Sequence, residues 1–205
     1  MVSASSRSDP PPLVVATLNR AKGAELVRLL ANVPFSIRLL ADTPGASLPE
    51  ETGQTYRENA LLKARAAARF TGIVALADDS GLEVDALAGA PGIYSARYGG
   101  PGLDDRGRVA KLLDALAGVE EAHRTARFRA VIALVEPSGN EITAEGVVEG
   151  VITHAPRGTA GFGYDPVFFY PPLGRTFGEL APHETDRVSH RARALRALRL
   201  TVPGC

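Results

Sequence analysis

The chain has one cysteine, Cys205, one methionine and no tryptophan among 205 residues. A single cysteine permits no intramolecular disulfide and no multi-cysteine metal site, which fits a reducing compartment. Charge of one sign is not in excess: Lys plus Arg number 23 and Asp plus Glu 23, for a formal net charge of +0. Proteins that hold DNA or RNA polymers draw affinity from surplus positive charge, so the balance speaks against such a partner. A small phosphorylated ligand needs only a local cluster and remains open. Long apolar runs are lacking too, and stretches such as Ile73 to Ala77 are far too short to span a bilayer. The segment 1–12 is rich in Ser and Pro, with no apolar run after a basic start, and does not read as a secretory signal. The expectation is a cytoplasmic protein with no membrane partner, a flexible tail over 1–12 and one globular domain over 13–205.

What is present is a globular composition, 45% hydrophobic and 22% charged, close to the soluble average. Leu13 to Ala16 reads as a buried strand. A polar turn, Thr17-Leu18-Asn19, leads into a helix from Arg20 to Ala31, and Ile37 to Ala41 reads as a second strand. Thr55 and Glu58 form a capping-box pattern ahead of an Ala-rich helix to Phe70. Ile73 to Ala77 reads as a strand that ends in a turn at Asp78-Asp79-Ser80-Gly81. Asp104 is positioned to cap a helix to about Leu116. Strands at Arg127–Val135 and Glu141–Thr153 flank a hairpin turn over 137–140. An apolar stretch, Val167 to Tyr170, follows a glycine-punctuated loop. Ser189 is positioned to cap a last helix from His190 to about Leu200, whose arginine spacing suggests a solvated outer face. Strands alternating with helices, then a long hairpin, predict an α/β protein with a mixed sheet.

Several residues could carry chemistry. A strand, a turn and a helix start place backbone N–H groups and the helix dipole where a phosphate can bind, with Lys22 in the first turn. The Gly-rich phosphate loop ending in Gly-Lys is absent, and a plain polar loop with a surface lysine fits as well. Asp78 and Asp79 close a buried strand, where ligands of α/β proteins gather. One could hold Mg²⁺ while the other orients or deprotonates water; a turn that favours Asp for local bonds is the alternative. Glu50 and Glu51 could supply a hard oxygen ligand or be solvated charges. Asn59 and Lys63 share a helix face. Phe162 could stack a base or plug the core. Asp165 could accept from a base N–H. His190 and Arg191 could donate to a keto oxygen, and cations are unfavourable at a helix start.

These blocks together resemble the inosine/xanthosine triphosphate pyrophosphatase family. The anchors are Thr17-x-Asn19-x-x-Lys22, Glu50-Glu51-Thr52-Gly53, Glu58-Asn59-Ala60-x-x-Lys63-Ala64, Ala77-Asp78-Asp79-Ser80-Gly81-Leu82, Gly89 to Arg97, Gly161 to Pro166, and Ser189-His190-Arg191. The resemblance implies a two-lobed α/β fold around a mixed, partly parallel sheet, a homodimer, Mg²⁺ as cofactor and a nucleoside triphosphate as substrate. It implies hydrolysis of ITP, dITP and XTP to the monophosphate and pyrophosphate, which keeps them out of DNA and RNA. Thr17, Asn19, Lys22 and Lys63 would grip phosphate. Glu50 and Asp79 would hold the metal, Asp79 would also accept the proton of the attacking water, and Asp78 would support it. Ser80, Phe162, Gly163, Tyr164, Asp165, His190 and Arg191 would contact substrate. Two positions depart from the pattern: Thr185 stands where a lysine is usual, and Ala21 where glycine is common. Arg175 or Arg187 could compensate for Thr185. The alternatives are a pyrophosphatase with another base preference and a non-catalytic nucleotide sensor.

Overall fold

A computed structural model describes residues 9–199, so Cys205 and most of the segment read as a tail lie outside the described residues. Strand β1 (Pro12–Val15) begins one residue inside that segment. The described chain continues with α1 (Arg20–Leu29), β2 (Ser36–Leu39), α2 (Tyr56–Thr71), β3 (Val74–Val84), α3 (Asp105–Ala115), β4 (Thr125–Val135) and β5 (Glu141–Ile152). It ends with β6 (Phe168–Tyr170), β7 (Arg175–Thr176), α4 (Pro182–Val188) and α5 (His190–Leu198). Short 3-10 segments fill several connections, among them Gly92–Arg97.

The seven strands form one mixed sheet in the order β2-β1-β3-β4-β5-β6-β7. β2, β1 and β3 run parallel, and every later pairing is antiparallel. The α/β expectation therefore holds. Parallel strands need crossovers, and α1 and α2 supply them.

Three apolar clusters fill the fold. On one face, α2 sets Ala60, Ala64, Ala67 and Ala68 against Ala75, Ala77 and Ala133. Small residues on both sides let helix and sheet approach closely. On the other face, α1 and α5 bury Leu26, Ala194, Leu195 and Leu198 against Leu13, Val15, Leu76 and Ile132. A third cluster lies where the hairpin extends past the parallel strands. It joins Leu82, Val84, Phe128 and Val148 to Leu112 of α3 and to Phe168 and Phe177.

The anticipated caps are in place. Thr55 and Glu58 form a full capping box on α2. Asp104 accepts from Gly107 N–H, and Ser189 accepts from Ala192 N–H.

One expectation is overturned. Asp78-Asp79-Ser80-Gly81 is not a turn; β3 runs straight through it to Val84. Ten residue pairs link β3 to β4, with Asp78 opposite Ile132 and Asp79 opposite Val131. A continuous ladder satisfies the backbone on that side, and tertiary pairing overrides the turn preference of Asp and Gly. β1, by contrast, pairs with β3 only as far as Leu76, and the next bond on that side is Leu82 N–H to Ser95 Oγ at 2.9 Å. Between these points the β3 edge faces no strand among the described residues, so the sheet opens where the two aspartates stand.

Candidate active site

Alternation along β3 sends neighbouring side chains to opposite faces. Asp78 shares a face with Leu76 and Ser80 and meets α1 and α5. Asp79 shares a face with Ala77 and meets α2. The gap beside β1 lets the two half-sites lie side by side.

On the α1/α5 face, Asp78 is buried and accepts from two cations. Lys22 Nζ lies 2.9 Å from its Oδ2, and Arg191 Nε lies 3.2 Å from the same oxygen. Ser80 Oγ donates to that oxygen at 2.9 Å and accepts from Arg191 NH2 at 2.8 Å. The remaining arm of Arg191 donates to Glu25 Oε2 at 2.9 Å. Burial opposes ionisation of Asp78, but Lys22 and Arg191 outweigh it and hold the carboxyl far below its usual range. The Arg191 guanidinium, despite burial, is held firmly charged by Glu25 and Asp78. Lys22 is pushed down by burial, with Asp78 opposing.

On the α2 face, Lys63 donates to Asp79 Oδ1 at 2.7 Å and to Glu51 Oε1 at 2.6 Å. Asp79 Oδ2 is buried with no partner among the described residues. Burial pushes the Asp79 carboxyl up to about 6, against the pull of Lys63. A carboxylate raised that far can release and take a proton near neutral pH. Asn59 reads the adjoining loop: its Oδ1 accepts from Gly53 N–H at 2.8 Å, which fixes the segment that carries both glutamates.

The turn before α1 is shaped by its own side chains. Asn19 N–H donates to Thr17 Oγ1 at 3.2 Å, and Asn19 Oδ1 caps the helix by accepting from Lys22 N–H at 3.0 Å. The cap points Lys22 inward.

Above these groups lies a cavity of 220 Å³ lined by Asn19, Lys22, Ser80, Phe128, Phe162, Gly163, Tyr164, Asp165, His190 and Arg191 among others. Phe162 belongs to no apolar cluster; its ring lies 5.1 Å from the Arg191 guanidinium carbon. Its N–H donates to Asp165 Oδ2 at 2.9 Å. Gly161 has φ +73°, and a Cβ there would stand within 2.0 Å of Asp165 Oδ2, so this turn requires glycine. Desolvation raises the Asp165 carboxyl to about 7. Tyr164 is mainly structural: it is buried and donates to Ser95 O at 2.9 Å, though its ring lines the cavity. His190 stacks on Phe128 with centroids 4.8 Å apart, and its Nδ1 has no partner. Burial and then Arg191 hold this imidazole well below its usual range, so it is neutral.

The structure thus brings together every anticipated residue except Glu50. That side chain is exposed, and Glu51 is the loop carboxylate that meets Lys63. Thr185 lines a separate cavity of 250 Å³ behind Phe162, with Glu25 and Arg28. Arg175 is engaged by Glu184 and Arg187 is exposed, so neither lines it. Glu25 was not anticipated. Its signal was an acidic residue one turn after Lys22 on the side of α1 that buries Leu26, where charge is unusual.

Among the described residues, no group of three or more His, Cys, Asp or Glu side chains is arranged to hold a metal, and no helix is long and apolar enough to cross a membrane.

The chain is similar to several known proteins. A dITP/XTP pyrophosphatase of Desulforamulus reducens is 52% identical over 184 residues, 90% of this chain and 92% of that one. One of Thermus thermophilus is 51% identical, covering 91% of this chain and 89% of the other. Among solved structures, a HAM1 protein of Coxiella burnetii matches with a TM-score of 0.81 at 43% identity, over 91% of this chain and 95% of that chain. A nucleoside-triphosphatase / dITP/XTP pyrophosphatase of Mycobacterium abscessus matches at 0.73 and 44%, over 93% and 100%. The sequence profile of the Ham1 family matches residues 13–201, and the chain belongs to that family.

Proposed function

We propose that this protein hydrolyses the non-standard purine nucleoside triphosphates ITP, dITP and XTP to the monophosphate and pyrophosphate. The observation that carries the reading is Asp79: a buried carboxylate gripped on one oxygen by Lys63 and, among the described residues, free on the other, within reach of the charge of Lys22, which lines the cavity walled by Phe162 and His190. The names of the relatives support the same reaction.

The chain's residues divide the work. Lys22 and the start of α1 receive phosphate oxygens, with Lys63 across the gap. Asp79 Oδ2 takes a proton from a water, whose oxygen attacks the α-phosphorus. The bond from that phosphorus to the bridging oxygen breaks, and pyrophosphate leaves with the electron pair. Asp78 holds Lys22 and Arg191 in place. Phe162 offers a face for the base, while Arg191 and neutral His190 offer donors to a 6-oxo group. Adenine presents an amino group there, and unmatched buried donors discriminate strongly.

Mg²⁺ fits this donor set. The partnerless Asp79 Oδ2 and the glutamate loop offer hard oxygens, and Mg²⁺ is commonly held by one or two carboxylates plus substrate phosphates. The resemblance assigns Glu50; the geometry favours Glu51, which faces Asp79 across the Lys63 ammonium. When bound, the metal would neutralise charge on the leaving phosphates. Mg²⁺ titrations of Glu50→Gln and Glu51→Gln separate the two, the larger loss of metal affinity marking the ligand. A cytoplasmic location and a homodimer complete the proposal; sedimentation would test the homodimer, and a single-chain mass would overturn it.

The deciding experiment is pyrophosphate release with Mg²⁺ from ITP, XTP, GTP and ATP, beside Asp79→Ala. Release from ITP and XTP that vanishes in the variant is the expected result. Equal release from all purines would keep the reaction and remove the base selectivity, making Thr185 the position to examine. Tight binding without release would favour a sensor.

A further inference from the structure

One cation in the cavity has no counterpart in the expectations above. Arg108 stands one turn into α3 and lines the same cavity as Phe162, His190 and Arg191. Its side chain is 20% exposed. Its NH1 donates to Asp105 Oδ1 at 3.1 Å, and the other oxygen of Asp105 accepts from Gly163 N–H at 2.8 Å. Asp105 therefore ties both Arg108 and the turn after Phe162 to the start of α3. Arg108 Nε, however, is buried with no partner among the described residues.

A buried guanidinium N–H without an acceptor is costly and uncommon. The other cavity cations already have acceptors in the protein: Lys22 has Asp78, and Arg191 gives three of its five N–H groups to Asp78, Glu25 and Ser80 and keeps two for a ligand. The charges around Lys22 are Asp78, Arg191 and Lys63, whereas those around Tyr164 are Arg108 and Asp105. The cavity is thus lined both by Lys22 and Arg191 and, beside Tyr164, by Arg108. Resting on the proposed reaction, we infer that Arg108 is a specificity-determining residue that donates to the 2-oxo group of a xanthine base.

The chemistry follows from the purine ring. C2 and C6 flank N1, so a base whose 6-oxo meets His190 and Arg191 presents its 2-position to another wall. Xanthine places an acceptor there, hypoxanthine only hydrogen, and guanine an amino donor. An unfilled donor favours the first, is indifferent to the second and opposes the third.

The test is the ratio of kcat/KM for XTP over ITP, and for XTP over GTP, in the wild type, Arg108→Met and Arg108→Lys. A bond from a charged donor corresponds to about a 10- to 100-fold change. Both ratios are expected to fall by about tenfold or more in Arg108→Met and to recover at least threefold in Arg108→Lys. Equal losses for all three nucleotides would overturn the inference and leave Arg108 as a support for the Phe162 loop; unchanged ratios, or no recovery in Arg108→Lys, would also overturn it. The same ratios measured as affinities for the xanthosine, inosine and guanosine monophosphates need no turnover. They test Arg108 even if the wild type releases no pyrophosphate, a result that would sink only the proposed reaction.

Discussion

Adjacent aspartates in β3 have opposite energetic signs. Asp78 is the counter-ion of Lys22 and Arg191, and removing it leaves two buried cations without their shared partner. Breaking a buried pair from one side costs about 3–5 kcal/mol, so Asp78→Asn is expected to lower the melting temperature by many degrees. Asp79 has a carboxyl raised to about 6. A raised acid holds its proton more tightly in the folded state, so its contribution is present at low pH and lost as pH climbs from about 4 through about 6. At pH 8 the desolvation of the ionised group opposes folding, and Lys63, which Asp79 and Glu51 both hold charged, keeps Glu51 as its partner, so Asp79→Asn should melt within about 2 °C of the wild type or above it while losing pyrophosphate release. Thermal melts of the two variants at pH 8 decide this; a large drop for Asp79→Asn would refute it. The same sign applies to Asp165, raised to about 7. Asp165→Asn keeps an acceptor for Phe162 N–H and should flatten the pH dependence of melting between about 4 and 7, gaining on the wild type above pH 7.

At the scale of elements, what was legible in the sequence was local. Caps at Thr55, Asp104 and Ser189 are written in side chains that bond within four residues, and the helices start where they predict. The length of β3 was not legible, because Asp78-Asp79-Ser80-Gly81 carries turn residues and only pairing with a strand some fifty residues later keeps it extended. Glu51, rather than Glu50, turns inward because Asn59 clamps the loop at Gly53, a contact no pattern announces. The seat of α5 is another long-range matter. A Cβ on Gly146 of β5 would stand 2.2 Å from His190 O and 2.4 Å from Ala194 N, so glycine there lets the helix lie directly on the sheet. Gly146→Ala must push α5 outward, and overpacking of this kind costs about 1–3 kcal/mol. Since α5 carries His190 and Arg191, the variant should show both a lower melting temperature and a raised KM. A normal KM in a destabilised Gly146→Ala protein would show that the site does not depend on that seat.

For the whole molecule, the site ties distant parts of one chain: Arg191 near its end reaches Glu25 and Asp78, 166 and 113 residues earlier. The resulting cluster is electrically balanced. Lys22, Lys63, Arg97 and Arg191 stand against Glu25, Glu51, Asp78 and Asp79, four cations against four carboxylates. The chain as a whole is neutral as well, so no long-range field draws an anion in. A triphosphate carries about four negative charges at neutral pH, and a neutral cluster that includes the ionised Asp79 gives it little net attraction. Positive charge arriving with the substrate would offset this, which is the electrostatic argument for the proposed divalent cation. Removing one carboxylate should replace part of that need. In the presence of EDTA, Asp79→Asn gives the cluster a net charge of +1 and is expected to bind ITP at least threefold more tightly than the wild type, as read by calorimetry. Removing Asp79 gives the same change in charge at any pH above about 6, so the advantage should shrink below that pH as the wild-type carboxyl takes up its proton. Equal affinity of the two proteins at pH 8 would mean that Lys22 and Arg191 leave their carboxylates for the phosphates without help. The charge balance would then carry no argument for the proposed metal.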